Sequence, residues 1–326
     1  MGEFELLARV RERLPAPGPR VRVGMGDDAA VTVPGGATAT SVDAVVEGVH
    51  FRRGQCTLRQ IGHKALATAL SDLAAMGAEP GEAYVVLGVP PDLGEDECIE
   101  LLDGILALAR STGTTVAGGD VTRAPGLSVT TTVVGHAAEA EALITRAGAR
   151  AGDALVLTGE LGGAAAGLLL ADSPDLAAGV SEETARRLLA RQAEPHPRLA
   201  AGRALARAGA TAMIDLSDGL GADAGHLAAE SSVGIRIEAN AVPLANGVAQ
   251  VAAAAGRDPL PMAVTGGEDY ELLAALPAER LTEAATAAGE ASTTLAVIGE
   301  AVEGSGVEIK LPGGRTLEPS GFDHLR

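Results

Sequence analysis

Aspartate recurs in five short clusters, each flanked by Gly or Ser: Gly26-Asp27-Asp28, Ser41-Val42-Asp43, Ser71-Asp72, Gly118-Gly119-Asp120 and Asp215-Leu216-Ser217-Asp218-Gly219. The spacing places them at strand ends and turns, with Asp120 on a Gly-Gly turn. An Asp carboxylate is held one methylene closer to the backbone than that of Glu. That suits a hard cation such as Mg2+, which takes oxygen ligands in near-octahedral geometry at ~2.1 Å. Neighbouring glycines let the main chain and a phosphate approach closely. Converging carboxylates repel unless cations neutralise them, so convergence of these clusters would imply several ions. Each cluster also has an ordinary structural account, because Asp before Gly makes turns and Asp at a helix start makes N-caps. Asp218 could cap a helix over 220–230. The spacing alone does not establish that the clusters meet.

Other phosphate-handling motifs are missing. There is no GxxxxGK[ST] loop, and the only lysines are Lys64 and Lys310, which excludes a Walker-type site. No protein-kinase HRD or DFG set occurs. Gly24-Met25-Gly26 lacks the third glycine and the strand-to-helix context of a dinucleotide fingerprint. A bound nucleotide would therefore be met by Mg2+, helix N-termini and a few arginines. Arg146, in Ile144-Thr145-Arg146-Ala147-Gly148, is one candidate, since a guanidinium matches phosphate oxygens bidentately; an ordinary surface arginine is the alternative. Asp223 and His226, at i and i+3, read as a helix-surface contact rather than a metal pair. The local pattern around His50 reads as a packed or capping histidine.

The elements that must position these residues fall into two halves. The 326 residues suggest two domains, each able to bury a core. We place the boundary in the hydrophilic, turn-like stretch 148–152, giving domains 1–148 and 149–326. An amphipathic helix opens the chain over 1–14. Strands are expected at 39–45, 83–88 and 127–134. Helices are expected at 58–76, stopped by Gly77, and at 95–111, closed by Gly113. The second half has expected strands at 154–158, 212–216, 235–239, 263–265 and 272–276. Helices are expected from Gly162 and over 181–191, while Pro195 and Pro197 exclude a helix interior there. Helices and strands without strict alternation indicate an α+β fold with two layers per half.

Composition narrows the partners. Lys and Arg number 25 against 43 Asp and Glu, a formal net charge of −18, and aromatics make up only 2%. A chain this acidic, without basic runs or stacking residues, excludes nucleic acid as a partner. Cys56 and Cys98 have neither disulfide nor zinc spacing. The start lacks the apolar stretch of a signal peptide, and the longest apolar run, 161–171, is too short to span a bilayer. The protein reads as soluble and cytoplasmic, with no membrane association.

The clusters, taken in order, resemble thiamine-monophosphate kinases. The similarity runs through Gly26-Asp27-Asp28-Ala29-Ala30, Ser41-Val42-Asp43, Gly48-Val49-His50-Phe51 and Lys64-Ala65-Leu66 to Leu70-Ser71-Asp72-Leu73-Ala74-Ala75-Met76-Gly77. It continues through Gly118-Gly119-Asp120-Val121-Thr122-Arg123, Thr145-Arg146-Ala147-Gly148-Ala149, Ile214 to Leu220, Gly266-Gly267-Glu268-Asp269-Tyr270-Glu271 and Gly321-Phe322-Asp323-His324. These kinases belong to an ATP-using superfamily that includes aminoimidazole ribonucleotide synthetase and selenophosphate synthetase. A selenophosphate synthetase would carry a reactive cysteine near its start, whereas the first cysteine here is Cys56.

The resemblance implies a two-domain aminoimidazole ribonucleotide synthetase-like fold. Its N-terminal domain forms a β-barrel spanning a homodimer, followed by a C-terminal α/β sandwich. It implies Mg2+ ligands at Asp27, Asp28, Ser41, Asp43, Asp72, Asp120, Asp215 and Asp218. It also implies ATP contacts at Gly119, Asp120, Arg146 and Ser217, and substrate contacts at His50, Glu268 and Phe322. Where some relatives carry Thr after Ser41, this chain has Val42, so any ligand there is backbone. The implied reaction is phosphoryl transfer from ATP to thiamine monophosphate, the final step of thiamine diphosphate biosynthesis. The acceptor is a phosphate monoester with a second pKa of ~6, so no proton need be removed and no acid–base side chain is required. Two competing readings are another ATP-dependent synthetase of the superfamily and a non-catalytic cation-binding dimer.

Overall fold

The structure, a computed structural model, describes residues 3–25 and 29–321. The chain divides into two compact units. One runs to Ala142, interrupted by Ala74–Gly77; the other comprises that short segment and everything from Leu143 onward.

The first unit contains α1 (Glu3–Arg13), β1 (Val21–Val23), β2 (Val31–Thr32), β3 (Ala37–Val46), most of α2 (Leu58–Ala75), β4 (Glu79–Val89), α3 (Glu95–Thr112), β5 (Thr115–Arg123) and β6 (Ser128–Ala137). Expected helices and strands lie close to their places because their signals are local. Ile61, Ala65, Leu66, Ala69, Leu70 and Leu73 recur at helical spacing on α2 and are all buried. Glu97 accepts from the Gly94 N–H at 2.6 Å to start α3, and Gly113 (φ 76°) ends it. Four strands form one sheet in the order β3-β6-β4-β5, antiparallel except for β4–β5. The sheet is open, with β3 and β5 at its edges, and no closed barrel occurs among the described residues.

Two faces of this sheet differ. Val129, Thr131 and Val133 on β6, with Val45 on β3 and Ala83 and Leu87 on β4, share one buried face. The alternate residues form the other face, where Val42 is 63% exposed and Val86 42%. The Gly118-Gly119-Asp120 segment departs from the expectation. It is not a turn but part of the edge strand β5, with a bulge opposite Ala83 and Tyr84. Parallel pairing to β4 supplies the ladder that paired glycines do not favour by propensity.

The second unit contains β7 (Ala154–Thr158), α4 (Gly163–Asp172), α5 (Glu182–Ala193), α6 (Leu199–Arg207), β8 (Ala212–Asp215), α7 (Leu220–Ser231), β9 (Gly234–Glu238), α8 (Val248–Ala254), α9 (Pro259–Thr265), β10 (Leu272–Leu276), α10 (Leu281–Glu290), β11 (Leu295–Val302), β12 (Gly306–Lys310) and β13 (Thr316–Leu317). Its seven-stranded sheet has the order β13-β12-β9-β11-β7-β10-β8 and is antiparallel apart from β9–β12. Leu155, Leu157, Ile214, Ile235, Ile237, Leu273 and Ile298 from the sheet meet Leu220, Ala224 and Leu227 of α7 in one core. The expected strand at 263–265 is instead the end of α9. Asp258 caps that helix by accepting from the Leu260 N–H at 3.2 Å, and Pro259 sits in its first turn. Among the described residues no helix is long and apolar enough to cross a membrane.

Candidate functional site

In the first unit, α2 brings Asp72 against β3. The Ser41 hydroxyl donates a short hydrogen bond to Asp72 Oδ2. Ser41 and Asp43 are two apart on β3 and so point to the same sheet face. Both are half-buried, and Asp43 Oδ1 accepts from the Ala44 N–H at 3.1 Å. Ser41, Asp43 and Asp72 are thus gathered on one edge of the sheet. Asp120 and Gly119 stand on the other edge. The register runs Asp43, Thr131, Val85, Gly119 across the four strands. Three strand spacings put Asp43 and the Gly119 position about 14 Å apart, and Asp120 alternates to the opposite face. Asp43 and Asp120 of one sheet cannot share an ion. Gly119 is required by a close approach, because a Cβ there would lie 2.0 Å from the Val85 carbonyl oxygen.

His50 closes the turn after β3. Its Nδ1 accepts from the Val46 N–H at 3.1 Å, the capping role its local pattern indicated. Lys64, 1% exposed on α2, donates from Nζ to the His50 carbonyl at 3.0 Å. This anchor was missed from sequence. Its signal was one of only two lysines, set among the apolar positions of a helix.

In the second unit, β8 delivers Asp215, which is buried, and the chain then turns through Ser217 and Asp218 into α7. Asp218 does not cap that helix. Asp223, from the first turn, reaches back and accepts from the N–H groups of Asp218 and Gly219, both at 3.1 Å. Asp223 is therefore not a helix-surface contact but 2% exposed beneath the turn. Burial, then the charges of Asp215 and Asp218, push its carboxyl up to about 8. Ligand atoms of Asp218, Asp223 and His226 lie within 4.8 Å of one another. His226 brings a ring nitrogen to this group, whereas the carboxylate oxygens of Asp215 and Asp218, which repel that of Asp223, fit a divalent cation such as Mg2+.

The Gly266–Glu271 segment lies alongside this turn. The Glu268 N–H donates to the Ser217 carbonyl at 2.8 Å, and the Tyr270 N–H to Leu216 at 2.9 Å. A Cβ at Gly267 would meet the Ser217 carbonyl oxygen at 2.5 Å, so only glycine fits there. Glu268 and Tyr270 both have positive φ, 67° and 49°, a conformation costing about 1 kcal/mol for a side-chain-bearing residue. Asp269 accepts from the N–H groups of Gly162 (2.6 Å) and Ala164 (3.0 Å) at the start of α4. Glu271, 1% exposed, takes a two-pronged contact from Arg198 at 2.7 and 2.5 Å and a hydrogen bond from Thr158 at 2.8 Å. Asp215, Ser217, Asp218 and Glu268 are therefore set together.

Arg146 is not beside them within this unit. Its carbonyl accepts from the Ser231 hydroxyl at 2.8 Å, at the C-terminal end of α7. Twelve helical residues separate that end from Gly219, about 18 Å. The Arg146 side chain is exposed. Asp27, Asp28 and Phe322, expected at metal and substrate positions, lie outside the described residues.

Comparison with known proteins places the whole chain. The family model of the AIR synthase related protein, N-terminal domain, matches residues 26–137. The model of the C-terminal domain matches residues 150–312. A thiamine-monophosphate kinase of Salmonella typhimurium is 37% identical over 99% of this chain and 98% of its own length. The crystal structure of the thiamine-monophosphate kinase from Stenotrophomonas maltophilia K279a aligns with TM-score 0.85 and 34% identity, covering 97% of this chain and 98% of that one. A structure of AaThiL complexed with AMPPCP and TMP aligns with TM-score 0.77 and 28% identity over 99% of this chain and 97% of that one. On both sequence and fold, the chain belongs to the thiamine-monophosphate kinase family, within the AIR synthase-related proteins.

Proposed function

We propose that the protein transfers the γ-phosphoryl group of ATP directly to thiamine monophosphate, forming thiamine diphosphate. The observation that carries this reading is the Asp215–Gly219 turn, where Asp215, Ser217 and Asp218 are held beside Glu268 by main-chain hydrogen bonds in a member of this family. A relative in complex with AMPPCP and TMP supports the two substrates. Asp27, Asp28, Ser41, Asp43, Asp72, Asp120, Asp215 and Asp218 are proposed to hold Mg2+. Gly119, Asp120, Arg146 and Ser217 are proposed to meet ATP, and His50, Glu268 and Phe322 the thiamine phosphate. Mg2+ would supply charge neutralisation and in-line alignment of the two phosphates. The chain's own part is positioning. Carboxylates fixed by Ser41 and by the Asp223-closed turn need no reorganisation as substrates arrive. The acceptor phosphate is already ionised, so no residue is assigned as acid or base.

We also propose that two copies close the open sheet into the dimer-spanning barrel. The exposed valines Val42 and Val86 on its uncovered face support this. So does the placing of Asp43 and Asp120 on opposite edges, which only a second sheet can bring near one another. The division at 148/149 and a cytoplasmic location belong to the same proposal. The decisive test incubates the purified protein with ATP, Mg2+ and thiamine monophosphate and resolves the products by chromatography. Thiamine diphosphate and ADP in equal amounts are expected; absence of thiamine diphosphate refutes the reading.

A further inference from the structure

Lys64 is a charged residue where the packing asks for an apolar one. It sits between Ile61 and Ala65 among the buried positions of α2 and is itself 1% exposed. Taking an ammonium out of water is costly, and methionine would fill much the same space without that cost. The ammonium makes a direct bond here, Nζ donating to the His50 carbonyl at 3.0 Å. Further along the same helix, Asp72 accepts from the Ser41 hydroxyl. Eight residues of helix put Lys64 and Asp72 about 12 Å apart along its axis. They hold His50 and Ser41 in reverse chain order, so α2 runs back along β3. One helix thus carries a residue assigned to the cation site and, at a fixed distance, the tie to a residue assigned to the substrate.

The turn that Lys64 holds is stiff in itself. The His50 N–H donates to the Val46 carbonyl at 2.9 Å and the Gly48 N–H to the Phe51 carbonyl at 2.8 Å, and Phe51 is buried. Because His50 Nδ1 accepts from the Val46 N–H at 3.1 Å, the neutral ring carries its proton on Nε2. The ring has one defined donor atom, and the position of that atom follows the position of the turn. We propose that Lys64 is a positioning residue for thiamine monophosphate: by holding the His50 carbonyl it fixes the turn so that the Nε2–H of His50 donates to the substrate at a set distance from the Asp72 cation site. This rests on the reading of His50 as a substrate contact.

The test measures KM for thiamine monophosphate and for ATP separately, on the full-length protein with Mg2+, by following thiamine diphosphate. Loss of a hydrogen bond from a charged donor is worth about tenfold in an equilibrium. Lys64→Met is therefore expected to raise KM for thiamine monophosphate about tenfold and to change KM for ATP by less than about twofold, a split that general loosening of the fold does not produce. Lys64→Gln, which also removes the charge and shortens the reach, repeats the measurement in case the methionine variant does not fold. His50→Ala is expected to raise the same constant. Nitrogen-15 NMR of the His50 ring, assigned by its loss in His50→Ala, is expected to show Nε2 protonated; a proton on Nδ1 overturns the assigned donor. Parental KM for thiamine monophosphate in the Lys64 variants, with that constant raised in His50→Ala, overturns the role of Lys64 alone, and so does an equal rise in both constants. Parental values in His50→Ala overturn the reading of His50 and the Lys64 role with it. A parent that forms no thiamine diphosphate refutes the proposed reaction and both roles together.

Discussion

The Arg198–Glu271 pair offers the sharpest test of how the second unit holds its turn. Arg198→Met keeps the apolar stem and removes the guanidinium. Glu271 would then remain 1% exposed with Thr158 as its surviving side-chain donor, having lost contacts of 2.7 and 2.5 Å. Breaking a buried ion pair from one side costs about 3–5 kcal/mol, mostly because the remaining charge is left without its partner. For a unit of this size each kcal/mol lowers the melting temperature by about 2–4 °C, so a drop of at least about 6 °C is expected. The double variant Arg198→Met with Glu271→Met removes both charges and should recover most of the loss. Urea denaturation and calorimetry of the parent, both single variants and the double variant complete the cycle. The pair also bears on the site, since the Leu216 N–H donates to the Glu271 carbonyl at 2.8 Å. Arg198→Met should therefore raise KM for nucleotide even below its melting point. A loss under about 1 kcal/mol, or a double variant as unstable as the sum of the singles, would refute the reasoning.

Other expectations concern charge and reactivity. Asp120→Asn should fold normally, because the side chain is exposed on β5, yet turnover should fall severely; near-normal turnover argues against a metal role. Asp223, raised to about 8 from an ordinary 3.8, favours the neutral form in the folded state. Its contribution to stability is full below pH ~4 and is lost as pH rises toward 8, by about 1.4 kcal/mol per unit at most. Asp223→Asn keeps an acceptor for the Asp218 and Gly219 N–H groups, so in metal-free buffer it should be the more stable protein, by an amount that grows from pH 5 to 8. Denaturation curves showing the parent at least as stable at pH 8 would contradict this. Cys56 and Cys98 are buried, and burial pushes the Cys98 thiol up to about 11. Neither should react with iodoacetamide at pH 7.5 until the protein is unfolded, as mass spectrometry would show.

Legibility followed the range of the signal. β3, β4, β6, α2 and α3 were readable because alternation, helical periodicity and terminal glycines are encoded within a few residues. β5 was not, because Gly118 and Gly119 speak against a strand and only parallel pairing to β4 makes one. The segment 263–265 was misread because a short apolar run has no period of its own; Asp258 and Pro259, upstream, decide for helix. Among the candidate site residues, the aspartates stood out by type and by their glycine neighbours. Asp223 did not, since its role depends on a turn formed by other residues.

By itself the sequence determined the chemistry on offer: oxygen donors in short clusters, only two lysines, no phosphate loop, and a motif order that carries the family. Tertiary structure alone decided which of those residues meet. It set Ser41 on Asp72, closed the Asp218 turn with Asp223 rather than capping α7 with Asp218, and sent Asp43 and Asp120 to opposite edges of one sheet. The physical reason is that residue type and local period fix what a side chain can do and which face it takes, whereas strand order and helix crossing depend on contacts between segments far apart in the chain.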